Sequence, residues 1–212
     1  MVERLVDQIT RGLRSLDIQV ALAKPLTDYV NLLHKWNKPY NLTAVRRPED
    51  MVIKHVLDSL TLVPHLTSSK RLCDVGTGAG LPGVPLALCF PDKAFVLLDS
   101  NGKKTRFLHQ VRQQLNLSNV TIVEERAEDY RPEQGFDVVM SRAFADLNRM
   151  CNLTAHLLDT EGLWLAMKSQ TVDTEIADLS ASVEISEQID LVVPGLEELR
   201  QLVVLRRCEN KQ

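Results

Sequence analysis

No apolar stretch in this chain approaches the roughly 20 residues that a membrane-crossing helix needs, so no spanning segment is expected. The opening residues, MVERLVDQITRGLRSL, carry charges every few positions and contain no secretory apolar core or cleavage site. The chain is therefore expected to be cytoplasmic. Cysteines are few and scattered: Cys73, Cys89, Cys151 and Cys208 form no C-x-x-C and have no nearby histidine pair. That spacing argues against a zinc site and against a disulfide framework, and no metal is expected. Internal repeats and low-complexity segments are absent as well. The net charge of −3 lacks the basic excess of a general nucleic-acid binder. Its distribution is uneven, because residues 1–70 hold ten Lys/Arg against seven Asp/Glu, and residues 71–212 hold fifteen against twenty-one. A polyanion would meet the N-terminal part.

What is present fits one domain with an extension, in a chain of 212 residues of ordinary globular composition. From residue 71 strands and helices alternate. RLCDV (71–75), KAFVLLD (93–99), NVTIVEE (119–125), FDVVMS (136–141) and GLWLAMK (162–168) read as strands. PGVPLALCFP (82–91), NGKKTRFLHQVRQQLNL (101–117) and DLNRMCNLTAHLLD (146–159) read as helices, the second with Phe107, Leu108, Val111 and Leu115 on one face. Alternation of this kind implies right-handed crossovers and a mostly parallel sheet. VEISEQIDLVV and LRQLVVLRRC are separated only by PGLEE, too short for a helical crossover, and should pair as an antiparallel hairpin at one edge. Residues 2–16, 27–37 and 48–60 read as helices, with NKPYNLTAVRRP (37–48) as loop by its prolines and asparagines. The expected division is a helical extension over 1–66, packed on the core and turned toward any polyanion, and an α/β domain over 67–212.

RLCDVGTGAGLPG (71–83) sets four glycines, Gly76, Gly78, Gly80 and Gly83, directly after the first strand. Such a loop presses its backbone against a cofactor, and both dinucleotides and S-adenosylmethionine (SAM) use it. Asp99 ends the second strand, where a ribose-binding acid belongs. Asp74 discriminates between the two. A pyrophosphate about 6 Å from that carboxylate, at an effective dielectric near 20, would cost roughly 3 kcal/mol per charge pair, with no basic residue in the loop to offset it. SAM brings an ammonium and a sulfonium instead, which the acid attracts. The competing reading is that Asp74 caps the turn. ERAEDY (125–130) follows the third strand, where Ala127 and Glu128 could read an adenine. MSRAFADL (140–147) follows the fourth strand and faces the transferred group, and there Arg142 could hold a carboxylate or an RNA phosphate.

DVGTGAGLPG, LLDSNGKKTRFL, SRAFADL, WNKPYNLTAVR and HVLDSL together closely resemble the RsmG family, also called glucose-inhibited division protein B. The resemblance runs from about residue 25 to the C-terminus. It implies a class I Rossmann-like SAM-dependent methyltransferase, with a seven-stranded mostly parallel sheet, a C-terminal antiparallel hairpin and an N-terminal helical extension. It further implies methylation of N7 of the guanine at position 527 of 16S ribosomal RNA, as free rRNA or a small-subunit precursor. The matching motif positions place SAM at Gly76 and Leu81, at Ala127 and Glu128, and at Arg142; Asp99 carries over from class I methyltransferases generally, and Asp74 and Gly78 belong to the same loop. Ala79 stands where the family commonly has proline, and Ser169 where it has glycine after the strand-five lysine.

Guanine N7 carries a lone pair and no proton at neutral pH, so no general base is expected, only residues that align the reactants. Arg142, Lys168 and Asn41 are the positioning candidates, and Asn37, Tyr40 and Asn41 could form a lip toward RNA. Lys35, Lys38, Arg46, Arg47, Lys54, Lys103, Lys104 and Arg106 are candidates for holding it. His55 and Asp58 are expected to serve local packing. A monomer is expected. A methyltransferase acting on another substrate, an assembly factor that keeps SAM as a structural ligand, and a nicotinamide enzyme stay open on the residues alone.

Overall fold

The computed structural model describes residues 2–169 and 172–208. Seven strands form one sheet: β1 (Arg71–Val75), β2 (Ala94–Leu98), β3 (Val120–Val123), β4 (Phe136–Arg142), β5 (Leu158–Lys168), β6 (Val183–Asp190) and β7 (Gln201–Arg207). Their spatial order is β3-β2-β1-β4-β5-β7-β6. The first five pair in parallel, and β7 runs antiparallel between β5 and β6. The order reverses between β1 and β4, so the crevice beyond their C-terminal ends is the expected ligand position.

Apolar residues alternate across the sheet because successive strand side chains point to opposite faces. Leu72, Val138, Leu165 and Leu202 enter one core, whereas Cys73, Val139, Ala166 and Val203 enter the other. The first core is covered by α1 (Val2–Ser15), α2 (Ala23–Tyr40), α5 (Gly83–Cys89) and α6 (Gly102–Gln114). The second lies under α7 (Leu147–Thr154) and α8 (Asp173–Ala177). Leu5, Ile9 and Leu13, at helical spacing on α1, are fully buried in the same cluster as the sheet residues. The N-terminal helices thus share a core with the α/β part. The last four residues of the expected 67–212 unit lie outside the described residues.

Three features depart from the sequence expectation. The helix expected to stop at residue 37 continues through Pro39 to Tyr40, and ends when Asn41 turns left-handed at φ 51° with its N–H donating to Asn37 O. Asn37 is buried there: its side chain donates to Val45 O at 3.0 Å and accepts from Thr43 N at 2.9 Å. It ties the following loop down and is not part of an RNA-facing lip. The second departure is inside residues 48–60, where α3 (Pro48–Met51) and α4 (Asp58–Leu60) flank a π-helical stretch, Val52–Leu57. Third, β5 begins at Leu158, four residues before Gly162, through a register shift against β4. Helix α7 ends correspondingly early.

Tyr29 of α2 is fully buried and donates its hydroxyl to Ala79 O, inside the glycine loop, at 2.8 Å. Burial holds that phenol far above its ordinary pKa, so it stays a donor. Tyr29→Phe leaves a buried carbonyl without its partner. The variant is expected to lose about 1–3 kcal/mol of stability in urea unfolding monitored by circular dichroism.

Candidate functional site

The C-terminal ends of β1, β2, β3 and β4 surround a cavity of about 460 Å³, within the range of small-molecule sites. Four of the residues singled out in the sequence, Gly76, Asp99, Ala127 and Glu128, line it, together with Lys104, Arg126, Phe144, Asp146 and Arg149. Four acids (Asp99, Glu125, Glu128 and Asp146) face three cations (Lys104, Arg126 and Arg149), a mixed lining suited to a ligand that carries charges of both signs. Gly76 has φ 66°, and a Cβ there would strike the Phe144 ring, so the backbone must come close without a side chain.

Asp99 is nearly buried and already engaged. Gly78 N donates to its Oδ2 at 2.9 Å, Lys104 Nζ donates to the same oxygen at 3.1 Å, and Asn101 N donates to Oδ1 at 2.9 Å. Lys104 is therefore not free to hold RNA, and the glycine loop does have a cation beside it. The first point departs from the sequence expectation; the second adds a cation that lies outside the loop itself. A ribose at Asp99 must share the carboxylate with Lys104.

Asp74 does not line the cavity. It lies beneath the loop with no exposed surface, and its Oδ2 accepts from Thr77 Oγ1 at 2.6 Å and from Gly83 N at 2.8 Å. It caps the loop at both ends, which was the competing reading. Its Oδ1 has no hydrogen-bond partner among the described residues. Burial pushes the carboxyl up to about 7, against the pull of Thr77, Gly83 and Arg142. An acid only partly ionised at neutral pH repels a pyrophosphate less than the sequence argument assumed, while the vacant lone pairs of Oδ1 still favour a cation or donor nearby.

Four other expected site residues stand elsewhere. Gly78 turns its N–H onto Asp99 and is outside the cavity lining. Leu81 is buried in the core below the loop, its N–H donating to Thr77 O at 2.9 Å. Asn41 is exposed at the end of α2, accepts from Arg46 Nη2 at 3.0 Å, and reaches neither this cavity nor the one beside it. Arg142 turns away from the cofactor side, because a buried carboxylate and a carbonyl compete for it more closely.

That carboxylate is Asp58. Arg142 Nη1 donates to Asp58 Oδ2 at 3.0 Å and to Lys54 O at 2.8 Å, and Nη2 lies 3.3 Å from His55 Nδ1. The π-helical stretch presents Lys54 and His55, and π turns often mark such sites. Arg200, from the β6–β7 connection, places Nε 3.3 Å from Asp58 Oδ1. The contact is close enough for an ion pair, but Oδ1 is out of line for a hydrogen bond. Burial pushes Asp58 up and both arginines pull against it. Burial, then Arg142, lowers His55 to about 4, so the ring is neutral at physiological pH. A second cavity of about 250 Å³ opens here, lined by Lys54, Asp58, Arg142, Lys168 and Arg200. Ala143, at φ 54°, lines both cavities. Lys168 donates to Ala145 O at 2.9 Å and to Glu175 Oε2 at 2.7 Å, holding the 143–146 turn.

Sequence reasoning missed Arg200, Arg149, Arg126 and Phe144. Arg149 and Phe144 stand in or beside a quoted motif, and a helical reading of 146–159 puts Arg149 one turn from its start. Nothing local marks Arg200, which reaches Asp58 from 142 positions away. Among the described residues no three His, Cys, Asp or Glu side chains converge as a metal site. No helix there is long and apolar enough to cross a membrane.

A parallel sheet that reverses between β1 and β4, a glycine loop after β1, an acid following β2 and an antiparallel β7 give the fold of the class I methyltransferases. Solved structures agree with this fold. A putative O-methyltransferase from Klebsiella pneumoniae superposes with TM-score 0.58 at 13% identity, covering 84% of this chain and 89% of that one. The N-methyltransferase NodS from Bradyrhizobium japonicum, in complex with S-adenosyl-L-homocysteine, gives 0.54 at 14%, covering 85% and 98%. The GidB family, described as rRNA small subunit methyltransferase G, matches residues 22–204. The protein from Hydrogenovibrio crunogenus named ribosomal RNA small subunit methyltransferase G is 51% identical over 87% of this chain and 85% of its own length. Its namesake from Psychromonas ingrahamii is 48% identical over 97% of each. The chain belongs to the rRNA small subunit methyltransferase G family.

The unfolded Asp74 carboxyl ionises at 3.8 and the folded one at about 7, so between those values the folded chain holds the extra proton. The Asp74 contribution to stability therefore falls as pH rises through that window. In urea titrations at several pH values, the stability of wild type minus that of Asp74→Asn is expected to fall from about pH 4.5 to 7.5. A difference that stays flat or grows would contradict the raised pKa.

Proposed function

We propose that this enzyme methylates N7 of the guanine at position 527 of 16S rRNA, using SAM seated in the larger cavity. The family assignment supports ribosomal RNA of the small subunit as substrate. The observation that carries the cofactor reading is the cavity beside Gly76 and Asp99, with its balanced acids and cations and the unpartnered Asp74 Oδ1 below the loop. SAM supplies an electrophilic methyl group when bound. Asp99 would hold the ribose, Ala127 and Glu128 the adenine edge, and the Gly76 backbone the methionine part. Arg149 would take the carboxylate, in place of Arg142.

The chain's part in the reaction is alignment and exclusion of water. Guanine N7 attacks with an in-plane lone pair and gives up no proton, so the step asks for no general base. Arg142, held by Asp58 and Lys54 O, and Lys168, held by Glu175, are the nearest cations that could orient the guanine O6. The extension over 1–66 would form the RNA-facing wall, with Lys54 as its contribution.

Incubating the protein with labelled SAM and rRNA or small subunits that lack the modification is expected to label one guanine. Borohydride/aniline cleavage then maps it as N7-methylguanine. Label at another base would overturn the assignment. Asp99→Ala is expected to weaken SAM binding at least about tenfold in isothermal titration, the scale of one hydrogen bond to a charged group.

A further inference from the structure

The second cavity takes no part in seating the methyl donor, yet four cations line it against one carboxylate, Asp58. Three of them are largely enclosed: the side chains of Arg142, Lys168 and Arg200 are 20%, 14% and 12% exposed. Enclosing cations is costly unless anions compensate them, and here the two arginines share Asp58 while Lys168 takes Glu175 from outside the lining. No aromatic ring lines the cavity, so it offers no stacking platform for a base. The remaining lining residues are Ala143, Met167 and Ser169.

An anion already stands at the mouth of this cavity, and it comes from the chain itself. Glu198, on the connection between β6 and β7, bridges two cations from separate parts of the fold. Its Oε1 accepts from Lys54 Nζ at 2.8 Å, and its Oε2 accepts from Arg200 Nη2 at 3.1 Å. Its side chain is 55% exposed and outside the cavity lining, so it can leave at little cost. A carboxylate held by a lysine and an arginine fork has the donor geometry that also suits a phosphate.

We propose that Lys54 and Arg200 form a phosphodiester site for the RNA strand next to the methylated guanine, and that Glu198 occupies it until RNA displaces it. Asp58 keeps Arg200 and Arg142 side by side and thereby positions the site. Because Ala143 lines both cavities, a phosphate here lies one residue's width from the donor cavity. The proposal rests on the RNA substrate reading above and adds the residues that hold the strand and the one that competes with it.

The test is fluorescence anisotropy of a labelled single-stranded RNA oligonucleotide with the full chain over a range of salt concentrations. Lys54→Gln and Arg200→Gln are each expected to weaken binding about fivefold or more and to reduce the log–log salt slope by about 0.7. Lys54 is 40% exposed, so its variant keeps the test independent of folding. Glu198→Gln is expected to act in the opposite direction, tightening binding several-fold. Two variants control for net charge: Lys24→Gln on α2 and Glu184→Gln on β6, both in exposed ion pairs away from the cavity. Equal effects from the controls, no tightening in Glu198→Gln, or no binding of the oligonucleotide by wild type at low salt would each overturn the site. Binding is read without methyl transfer. If these shifts appear but N7-methylguanine does not, the functional reading falls and the phosphate site stands.

Discussion

Burying a carboxylate is expensive unless backbone amides or cations replace its water, and this chain buries three near the C-terminal ends of its central strands. Asp74 draws in Thr77 and Gly83 and so fixes both ends of the glycine loop. Asp99, on the neighbouring strand, draws in Gly78, Asn101 and Lys104. Asp58 draws Arg142 from β4 and Arg200 from the approach to β7 onto a helical run from the N-terminal part. Each acid pins backbone or a cation, although Asp74 and Asp58 each keep one oxygen without a hydrogen-bond partner among the described residues, and together these ties set the shape of both cavities.

The two cavities meet at one turn. Ala143 adopts a left-handed backbone conformation that a non-glycine residue enters only under constraint, and the constraint is visible on both sides. Before it, Arg142 is held by Asp58 and Lys54 O; after it, Ala145 O is held by Lys168, whose partner Glu175 also accepts from Leu147 N. The turn separates a lining of balanced charge from one of nearly uniform positive charge. A ligand of mixed charge and a polyanion would each meet a complementary field on its own side of that turn.

Much of the fold was legible because it rests on local periodicity. The runs at 71–75 and 136–141 could only be buried parallel strands, and the short PGLEE connection demanded an antiparallel pair. The misreadings have local causes. Pro39 looked like a helix stop, but it falls in the last turn, where Asn37 secures the following loop and Asn41 closes the helix. The π-helical stretch leaves no mark in residue spacing, since the apolar pattern over 48–60 fits an α-helix equally well. Asp74 was found by its sequence position, yet its role under the loop depends on how completely Gly83 and Thr77 enclose it.

The sequence by itself determined the alternation of strands and helices, the glycine loop after β1, the acid that follows β2 and the family. These are properties of residue type and spacing, which act over a few positions. Only the tertiary structure decided where the cations point. Lys104 went to Asp99 and Arg142 went to Asp58, because a long charged side chain pairs with whichever buried carboxylate the packing brings nearest. Arg200 came to matter because β7 inserts between β5 and β6 and carries its N-terminal flank back to the helical extension. Electrostatic partners are chosen by distance in space, and for Arg142 and Arg200 that distance has no counterpart along the chain.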